Sequence, residues 1–367
     1  MFKKTESLNI NIGKQLLGKM ILSDKNICLF EYNPEFINNG FSISPFYLPL
    51  KLGVFTSRPE PFGGLFGVFN DSLPDGWGRL LIDRYLHSKG IQINLLSVLD
   101  RLAIVGSKGV GALSYMPDKH IEAQSENNNL DFVANEVRKI LSDEENITSI
   151  EQLAAQGGSS GGARPKVFIK RNNESWIVKF PSSIDPKNIG EIEYKYSIVA
   201  RKCGIEMTDT ELLEEKYFAT KRFDREGQNR IHMHSAAGLL YADFRYPSLD
   251  YTELIKATLA LTKSLEEAYK LFRLMVFNVL TGNMDDHAKN FSYLFENGEW
   301  KLSPAYDLVP SQGINGNHTT TINGKGQPIL DDIFSVAINT GLNIKTAKKI
   351  FDEVYSNCGE IRKFRLE

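Results

Sequence analysis

A long apolar helix followed at once by a dense polar segment constrains this sequence most. Residues 251–282 place leucine and methionine at helical spacing, so they predict long helices buried in a helical domain. The next segment, TGNMDDHAKNFS at residues 281–292, holds two carboxylates, a histidine, a lysine and an asparagine close together. So many polar groups directly after a buried helix indicate either a catalytic site or a polar turn that caps the next helix.

The spacing of Asp285 and Asn290 matches that of the aspartate and asparagine in the kinase catalytic loop. Phosphoryl transfer needs a carboxylate that accepts the proton of the attacking hydroxyl, and oxygen ligands that hold Mg²⁺ against the triphosphate. Asp307, in LSPAYDL after a predicted strand, stands where a second magnesium carboxylate is expected. The two loops together predict Asp285 as the catalytic base and Asn290 and Asp307 as metal ligands.

Lys179 is the candidate lysine for the α and β phosphates of ATP. It lies in WIVKFP, a predicted strand, although a strand lysine is more often a solvated edge residue. A glutamate partner would come from the helix that follows, where the order of residues fits either Glu193 or Glu191. The sequence leaves that choice open.

The loop GGSSGGARPK at residues 157–166 offers unhindered backbone N–H groups and two hydroxyls for phosphate oxygens. Its candidate ligand residues are Ser159, Ser160, Gly161 and Gly162. The alternative interpretation is a flexible linker. A Walker A motif is excluded because Lys166 is followed by valine rather than by a hydroxyl residue.

The charge balance, with 43 basic and 45 acidic residues, gives no positive field that would attract nucleic acid or an anionic membrane. The three cysteines form no CxxC pair and are interpreted as buried free thiols. No apolar stretch resembles a signal peptide or a membrane span. We therefore expect a cytoplasmic protein that does not contact a membrane.

Local patterns predict several individual elements. β-Branched and aromatic residues on either side of SDKN at residues 23–26 predict two strands joined by a polar turn. Pro74 is expected to open a helix, and residues 130–141 are expected to form another. The strand-like runs around NESW at residues 173–176 predict a hairpin.

The order of predicted elements indicates an α+β protein in three parts. Residues 1–125 form a β-rich module, residues 126–235 a small ATP-binding lobe, and residues 236–367 a helical lobe with the catalytic and metal-binding loops. The polar stretch DKHIEAQSENNN at residues 118–129 is the predicted linker between the first two parts.

The order of motifs resembles the HipA family of bacterial toxin kinases over nearly the full length of the chain. FNDSLPDGWGR at residues 69–79 and LAIVGSKGVGALSY at residues 102–115 look like the family's N-terminal module. The segments that look like its kinase core are SSGGARPK, IVKFP, KRFDR, MDDHAKNFS and SPAYDL. This resemblance implies a bilobal, protein-kinase-like fold, ATP and Mg²⁺ as cofactors, and serine/threonine kinase activity.

The resemblance also implies roles for further residues. Ser159 matches the family's autophosphorylated serine, with Ser160 as its competitor, and phosphorylation there expels the loop and silences the kinase. His287 and Lys289 are expected to orient the phosphates or the loop. Phe223 leads toward the adenine-binding hinge, where Lys221 replaces the acidic residue of the best-known members and alters the expected adenine contacts.

As partners, the family implies a HipB-like helix-turn-helix antitoxin that binds DNA, so that this chain contacts DNA only indirectly. It also implies a protein substrate, which is an aminoacyl-tRNA synthetase in the best-known case. Two other functions are considered: a phosphotransferase that acts on a small molecule, and a catalytically silent corepressor bound to a DNA-binding antitoxin.

Overall fold

The computed structural model describes residues 3–123, 129–144 and 149–364. The chain forms two compact units. Unit 1 contains the described residues up to Gly190 together with Glu211–Met233. Unit 2 contains Glu191–Thr210 and the described residues from His234 onward. In the described part of the chain, no helix is long and apolar enough to cross a membrane.

Unit 1 begins with an antiparallel sheet in the order β4-β3-β2-β1-β5. The elements up to residue 179 are β1 (Ser7–Ile12), β2 (Gln15–Leu22), β3 (Cys28–Tyr32), α1 (Pro34–Asn39), β4 (Val54–Thr56), α2 (Gly67–Asn70), α3 (Gly76–Ser88), α4 (Val98–Val105), β5 (Leu113–Met116), α5 (Leu130–Leu141), α6 (Ile150–Gly157), β6 (Lys166–Arg171) and β7 (Glu174–Lys179). The predicted strand pair around the SDKN turn is confirmed as β2 and β3.

Successive side chains of a strand point to opposite faces of the sheet, so Leu8 and Ile10 on β1 lie on the same face. Both are fully buried, which shows that this face packs against the core. The helix predicted to open at Pro74 begins instead at Gly76, because Asp75 has an extended backbone with φ of −122°. Trp77 on α3 packs with α5 and with the strand pair β6 and β7 in one apolar cluster.

The next elements are α7 (Ile189–Lys202), β8 (Thr210–Leu213), β9 (Tyr217–Lys221), β10 (Arg225–Glu226), β11 (Asn229–Arg230) and β12 (His232–Ser235). The sheet order β6-β7-β9-β8 contains the hairpin predicted around the NESW turn, with Lys166 opposite Lys179. The division between the units falls after Met233, whereas the predicted boundary lies near residue 235 and stays a prediction. The predicted boundary near residue 125 lies outside the described residues.

Unit 2 is built on long helices, as its apolar periodicity predicted. Its remaining elements are α8 (Ala236–Leu240), β13 (Leu249–Asp250), α9 (Tyr251–Thr262), α10 (Leu265–Thr281), β14 (Ser292–Glu296), β15 (Glu299–Leu302), β16 (Thr320–Thr321), α11 (Leu330–Asn339) and α12 (Ile344–Asn357). The core gathers apolar side chains of α7, α9, α10, α11 and α12. The antiparallel pair of β14 and β15 stands between the two predicted catalytic loops in sequence.

Candidate active site

The polar segment of unit 2 begins where α10 ends. Ser264 caps the start of this helix, and the helix is almost fully buried in its second half. Gly282 ends it with φ of 68°, a left-handed conformation that glycine adopts without a steric penalty. The Gly282 carbonyl accepts the N–H of Ser311 at 3.0 Å. The loop therefore leaves a buried helix at a fixed point.

The two adjacent aspartates of the loop differ in exposure. Asp286 is 1% exposed, whereas Asp285 is an exposed residue. A general base must come within hydrogen-bond reach of the substrate hydroxyl. Of the two carboxylates, only that of Asp285 is exposed to solvent, and this exposure supports the base that the spacing predicted.

Asp286 is held by a buried network that the sequence did not indicate. Its Oδ2 lies 2.8 Å from the Tyr251 hydroxyl and 2.8 Å from His318 Nδ1. Its Oδ1 accepts the N–H groups of Thr319 and Thr320, at 2.9 and 3.2 Å. Burial first, and the nearby Asp286 carboxylate second, raise the pKa of Tyr251 well above its ordinary value of 10.0. The Tyr251 hydroxyl is therefore protonated and donates a hydrogen bond to Asp286.

Asn290 is the last residue of a short 3₁₀ turn, Ala288–Asn290, and is hydrogen-bonded to the backbone of the candidate base. Its Nδ2 donates to the backbone carbonyl of Asp285 at 2.7 Å. A carbonyl oxygen can only accept, so the amide must direct Nδ2 toward Asp285. Its Oδ1 is then the atom that could reach a metal, and amide oxygens are ligands of the kind that Mg²⁺ prefers.

Asp307 is linked to the same loop through its neighbour Tyr306. The Tyr306 hydroxyl donates to the carbonyl of Lys289 at 2.5 Å and lies 2.7 Å from Ser292 Oγ. Asp307 is half-buried and has φ of 55°, a backbone conformation that non-glycine residues adopt at some cost. The structure thus ties the residue before Asp307 to the residue before Asn290, which supports a shared role for the two predicted ligands.

His287 and Lys289 lie against Phe244, another residue that the sequence did not single out. The Lys289 Nζ is 4.2 Å from the Phe244 ring centroid, within the range of a cation–π contact. The His287 ring centroid is 5.9 Å from the same ring. The buried His287 Nδ1 has no hydrogen-bond partner among the described residues. These contacts fit residues that orient the loop, as the resemblance implied.

The donor set fits a magnesium ion that is bound partly by its nucleotide. Within residues 3–123, 129–144 and 149–364, no group of three or more His, Cys, Asp or Glu side chains could hold a metal. Mg²⁺ commonly takes one or two carboxylates and completes its shell with waters and substrate phosphates. Asp307 and the Asn290 amide suit that kind of site.

In unit 1, both serines of the glycine-rich loop are buried. Ser159 is 9% exposed, and its hydroxyl donates to the carbonyl of Lys108 at 2.9 Å. Ser160 is 1% exposed, and its hydroxyl donates to the carbonyl of Gly157 at 2.6 Å. The segment is therefore a packed loop in this conformation and not a flexible linker.

The loop packs against the start of α3 through its backbone. The Gly162 N–H donates to the Asp75 carboxylate, and the Trp77 N–H donates to the Gly162 carbonyl. A Cβ at Gly78 would come within 2.3 Å of the Ser160 carbonyl oxygen. Glycine at position 78 therefore permits the close approach, which explains part of the DGWGR motif.

Lys179, the predicted ATP lysine, is 8% exposed, so it is not the solvated edge residue of the alternative interpretation. Its Nζ lies 5.5 Å from the Phe218 ring centroid. Phe223 is half-buried just after β9. Lys221, the departure from the family pattern, forms an ion pair between β9 and β7 with Glu174.

The two glutamates that could serve the ATP lysine differ in burial. Glu193 is 3% exposed in unit 2, whereas Glu191 is an exposed residue. A buried carboxylate is rarely left without a partner. Burial therefore favours Glu193 over Glu191 as the functional residue of this helix.

Comparisons with known proteins place these features in a family context. Residues 158–360 match the HipA-like C-terminal domain, and residues 8–116 match the HipA N-terminal domain. A protein of Sinorhizobium fredii named "Putative kinase Y4dM" is 26% identical over 296 residues, which cover 73% of this chain and 70% of the relative. A Haemophilus influenzae protein named "Putative kinase" is 26% identical over 188 residues, which cover 44% of this chain and 55% of that relative.

Among solved structures, a chain of the Shewanella oneidensis complex of HipA, HipB and its operator DNA superposes with a TM-score of 0.72. The sequence identity is 17%, and the match covers 95% of this chain and 88% of that chain. This similarity confirms the predicted α+β, HipA-like fold.

Proposed function

This chain belongs to the HipA family, and from its site we propose that it is an ATP-dependent serine/threonine protein kinase that acts as the toxin of a toxin–antitoxin pair. The observation that carries the proposal is the exposed Asp285 between anchored neighbours, with Asn290 hydrogen-bonded to its carbonyl. The names of the two kinase relatives support phosphoryl transfer as the reaction class.

Asp285 accepts the proton of the substrate hydroxyl as that oxygen bonds to the γ-phosphorus of ATP, and the bond from that phosphorus to the β,γ-bridging oxygen breaks to release ADP. Lys179 and the glycine-rich loop, with Ser159, Ser160, Gly161 and Gly162, bind phosphate oxygens, while Phe223 contacts the adenine side. Asn290 and Asp307 hold Mg²⁺, which supplies positive charge to the phosphates when it is bound. His287 and Lys289 keep the loop oriented, and we assign the buried Glu193 to the nucleotide-binding residues.

Autophosphorylation of Ser159 or Ser160 requires the loop to leave its packed position. Both hydroxyls are buried and donate to backbone carbonyls, so neither can attack a phosphate from this conformation. A phosphoserine carries a charge of about −1.5 to −2 and cannot return to a site lined by carbonyl oxygens. This gives a physical reason for silencing, and Ser159 is the less buried of the two serines.

The partners of the proposal are a HipB-like helix-turn-helix antitoxin and a protein substrate such as an aminoacyl-tRNA synthetase. The Shewanella oneidensis complex contains HipA, HipB and operator DNA. This supports a partner antitoxin that binds DNA, so that the kinase is connected to DNA through the antitoxin. A net charge of −2 fits a chain that meets DNA only through that antitoxin. A cytoplasmic setting, where ATP is available, belongs to the same proposal.

The proposal is tested by intact-mass analysis and peptide mapping after incubation with ATP and Mg²⁺. The parent chain is expected to gain a phosphate on Ser159 or Ser160, and Asp285→Ala to gain none. Asp331→Ala, which removes another exposed aspartate in unit 2, serves as the matched control and should behave like the parent. Absence of phosphate on the parent would contradict the self-silencing kinase, and transfer only to an added small molecule would favour the phosphotransferase.

A further inference from the structure

A buried polar network in unit 2 includes Asp286, the residue that follows the candidate base in sequence. Tyr251, the first residue of α9, contacts both Asp286 and Asn278, whose Nδ2 lies 3.0 Å from the Tyr251 hydroxyl. Asn283 Nδ2 donates in turn to Asn278 Oδ1 at 3.0 Å. We propose that Tyr251 and His318 are positioning residues that act through Asp286 to hold Asp285 in its reactive orientation. This inference rests on the proposed function.

The first support is the way the loop backbone is clamped around Asp285. The Met284 carbonyl accepts the Thr319 N–H at 3.0 Å, and the Asp286 carbonyl accepts the Thr320 hydroxyl at 2.5 Å. Between them, the Asp285 carbonyl accepts Asn290 Nδ2 at 2.7 Å. Three consecutive carbonyls are thus fixed in a segment that belongs to neither a helix nor a strand.

The second support is the inaccessibility of the network itself. Tyr251 is 0% exposed and His318 is 2% exposed, so neither can touch a substrate in this conformation. Any effect of these residues on the reaction is therefore indirect, and Asp286 is the contact that the two residues share. A misplacement of about 1 Å in a reacting group can lower a rate by about a hundredfold, so such a clamp can matter for turnover.

The test compares two tyrosines that differ in what their hydroxyls contact. Tyr293 is also 0% exposed in unit 2, and its hydroxyl lies 2.7 Å from Thr258 Oγ1, outside this network. The rate of phosphate incorporation into the full chain is measured against ATP concentration. Tyr251→Phe should lower the maximal rate about tenfold with an almost unchanged KM for ATP, whereas Tyr293→Phe should keep the parent rate.

A second pair of variants asks whether the hydrogen bond of His318 matters rather than its volume. His318→Leu removes the donor that faces Asp286 Oδ2, whereas the amide of His318→Asn can still donate there. We expect the leucine variant to lose turnover and the asparagine variant to recover most of it. Equal rates for the two variants would overturn the role of His318.

Hydrogen–deuterium exchange of the loop amides at residues 284–290 separates this inference from the proposed function, because it needs no activity. Faster exchange in Tyr251→Phe than in Tyr293→Phe supports the clamp even if the parent chain transfers no phosphate. Equal exchange and equal maximal rates in the two tyrosine variants would overturn the positioning role while leaving the kinase proposal intact.

Discussion

The glycine-rich loop of unit 1 and the polar loop of unit 2 solve the problem of holding an irregular segment in different ways. The first is fixed by close backbone contact, with Gly78 permitting the approach of Ser160. The second is anchored by hydrogen bonds, above all those to the buried side chain of Asp286, which is 1% exposed. Backbone packing buries both hydroxyls of the first loop, whereas the buried carboxylate leaves its neighbour Asp285 exposed.

The difference teaches how each loop can change state. A loop held by backbone contacts and a few hydrogen bonds can open as a unit, since local opening costs less free energy than global unfolding. A loop anchored by a buried carboxylate cannot move without stranding several donors in the protein interior. We therefore expect the glycine-rich loop at residues 157–166, here called the serine loop, to be movable. The polar loop at residues 281–292, here called the aspartate loop, is expected to be rigid.

The largest expected effect concerns the two adjacent aspartates. Asp286→Ala removes the acceptor of four hydrogen-bond contacts, and should lower the free energy of unfolding by about 3–5 kcal/mol. Asp285→Ala, at an exposed position, should change that free energy by no more than about 0.5 kcal/mol while abolishing phosphate transfer. Urea denaturation of both variants measures the difference. Similar unfolding midpoints for the two would contradict the anchoring role of Asp286.

Sequence reasoning selected Asp285 because of its sequence spacing from Asn290. This assignment stays a prediction, which the exposure of Asp285 supports. It could not assign Asp286, because adjacent carboxylates look alike until the chain folds and brings His318 and Thr319 to one of them. Tyr306 was missed for the same reason, since its contact with Lys289 is made only by the folded chain.

Elements with a clear period were the most predictable part of the fold. The helix predicted at residues 130–141 is α5, and the hairpin predicted around NESW is β6 and β7. The burial of Lys179 was not predictable, because a strand lysine is usually solvated unless the folded protein supplies a partner. The choice between Ser159 and Ser160 also stays open, since both are buried.

A smaller effect is expected from an added methyl group in the interface that holds the serine loop. Gly78→Ala would direct a Cβ to 2.3 Å from the Ser160 carbonyl oxygen and 2.9 Å from Pro74 Cβ, so the loop or α3 must shift. We expect a loss of about 1–3 kcal/mol in the free energy of unfolding. The matched control is Gly161→Ala, whose Cβ would meet only Asp75 Oδ1, at 3.6 Å. A thermal shift assay should show a clear loss for the first and little change for the second; equal melting temperatures would contradict tight backbone packing.

The smallest expected effect tests whether the Asp75 carboxylate holds the serine loop in its packed position. We call this contact with the Gly162 N–H the latch. Asp75 accepts the Gly162 N–H but makes no side-chain hydrogen bond that caps α3, so its removal should not uncap the helix. Asp75→Ala should favour the open loop by about 1.5 kcal/mol, which raises the rate of phosphate incorporation at Ser159 or Ser160 roughly tenfold. Mass spectrometry over a time course measures that rate.

Asp75→Asn is the matched variant for the latch, because its amide oxygen can still accept the Gly162 N–H. It should stay near the parent rate, while the alanine variant becomes faster and then silences itself sooner. If opening limits autophosphorylation, weakening the latch can only accelerate the modification. An alanine variant that is slower than the parent, with an unchanged melting temperature, would instead mean that Asp75 holds the loop for nucleotide binding, and the serine loop would then be as rigid as the aspartate loop.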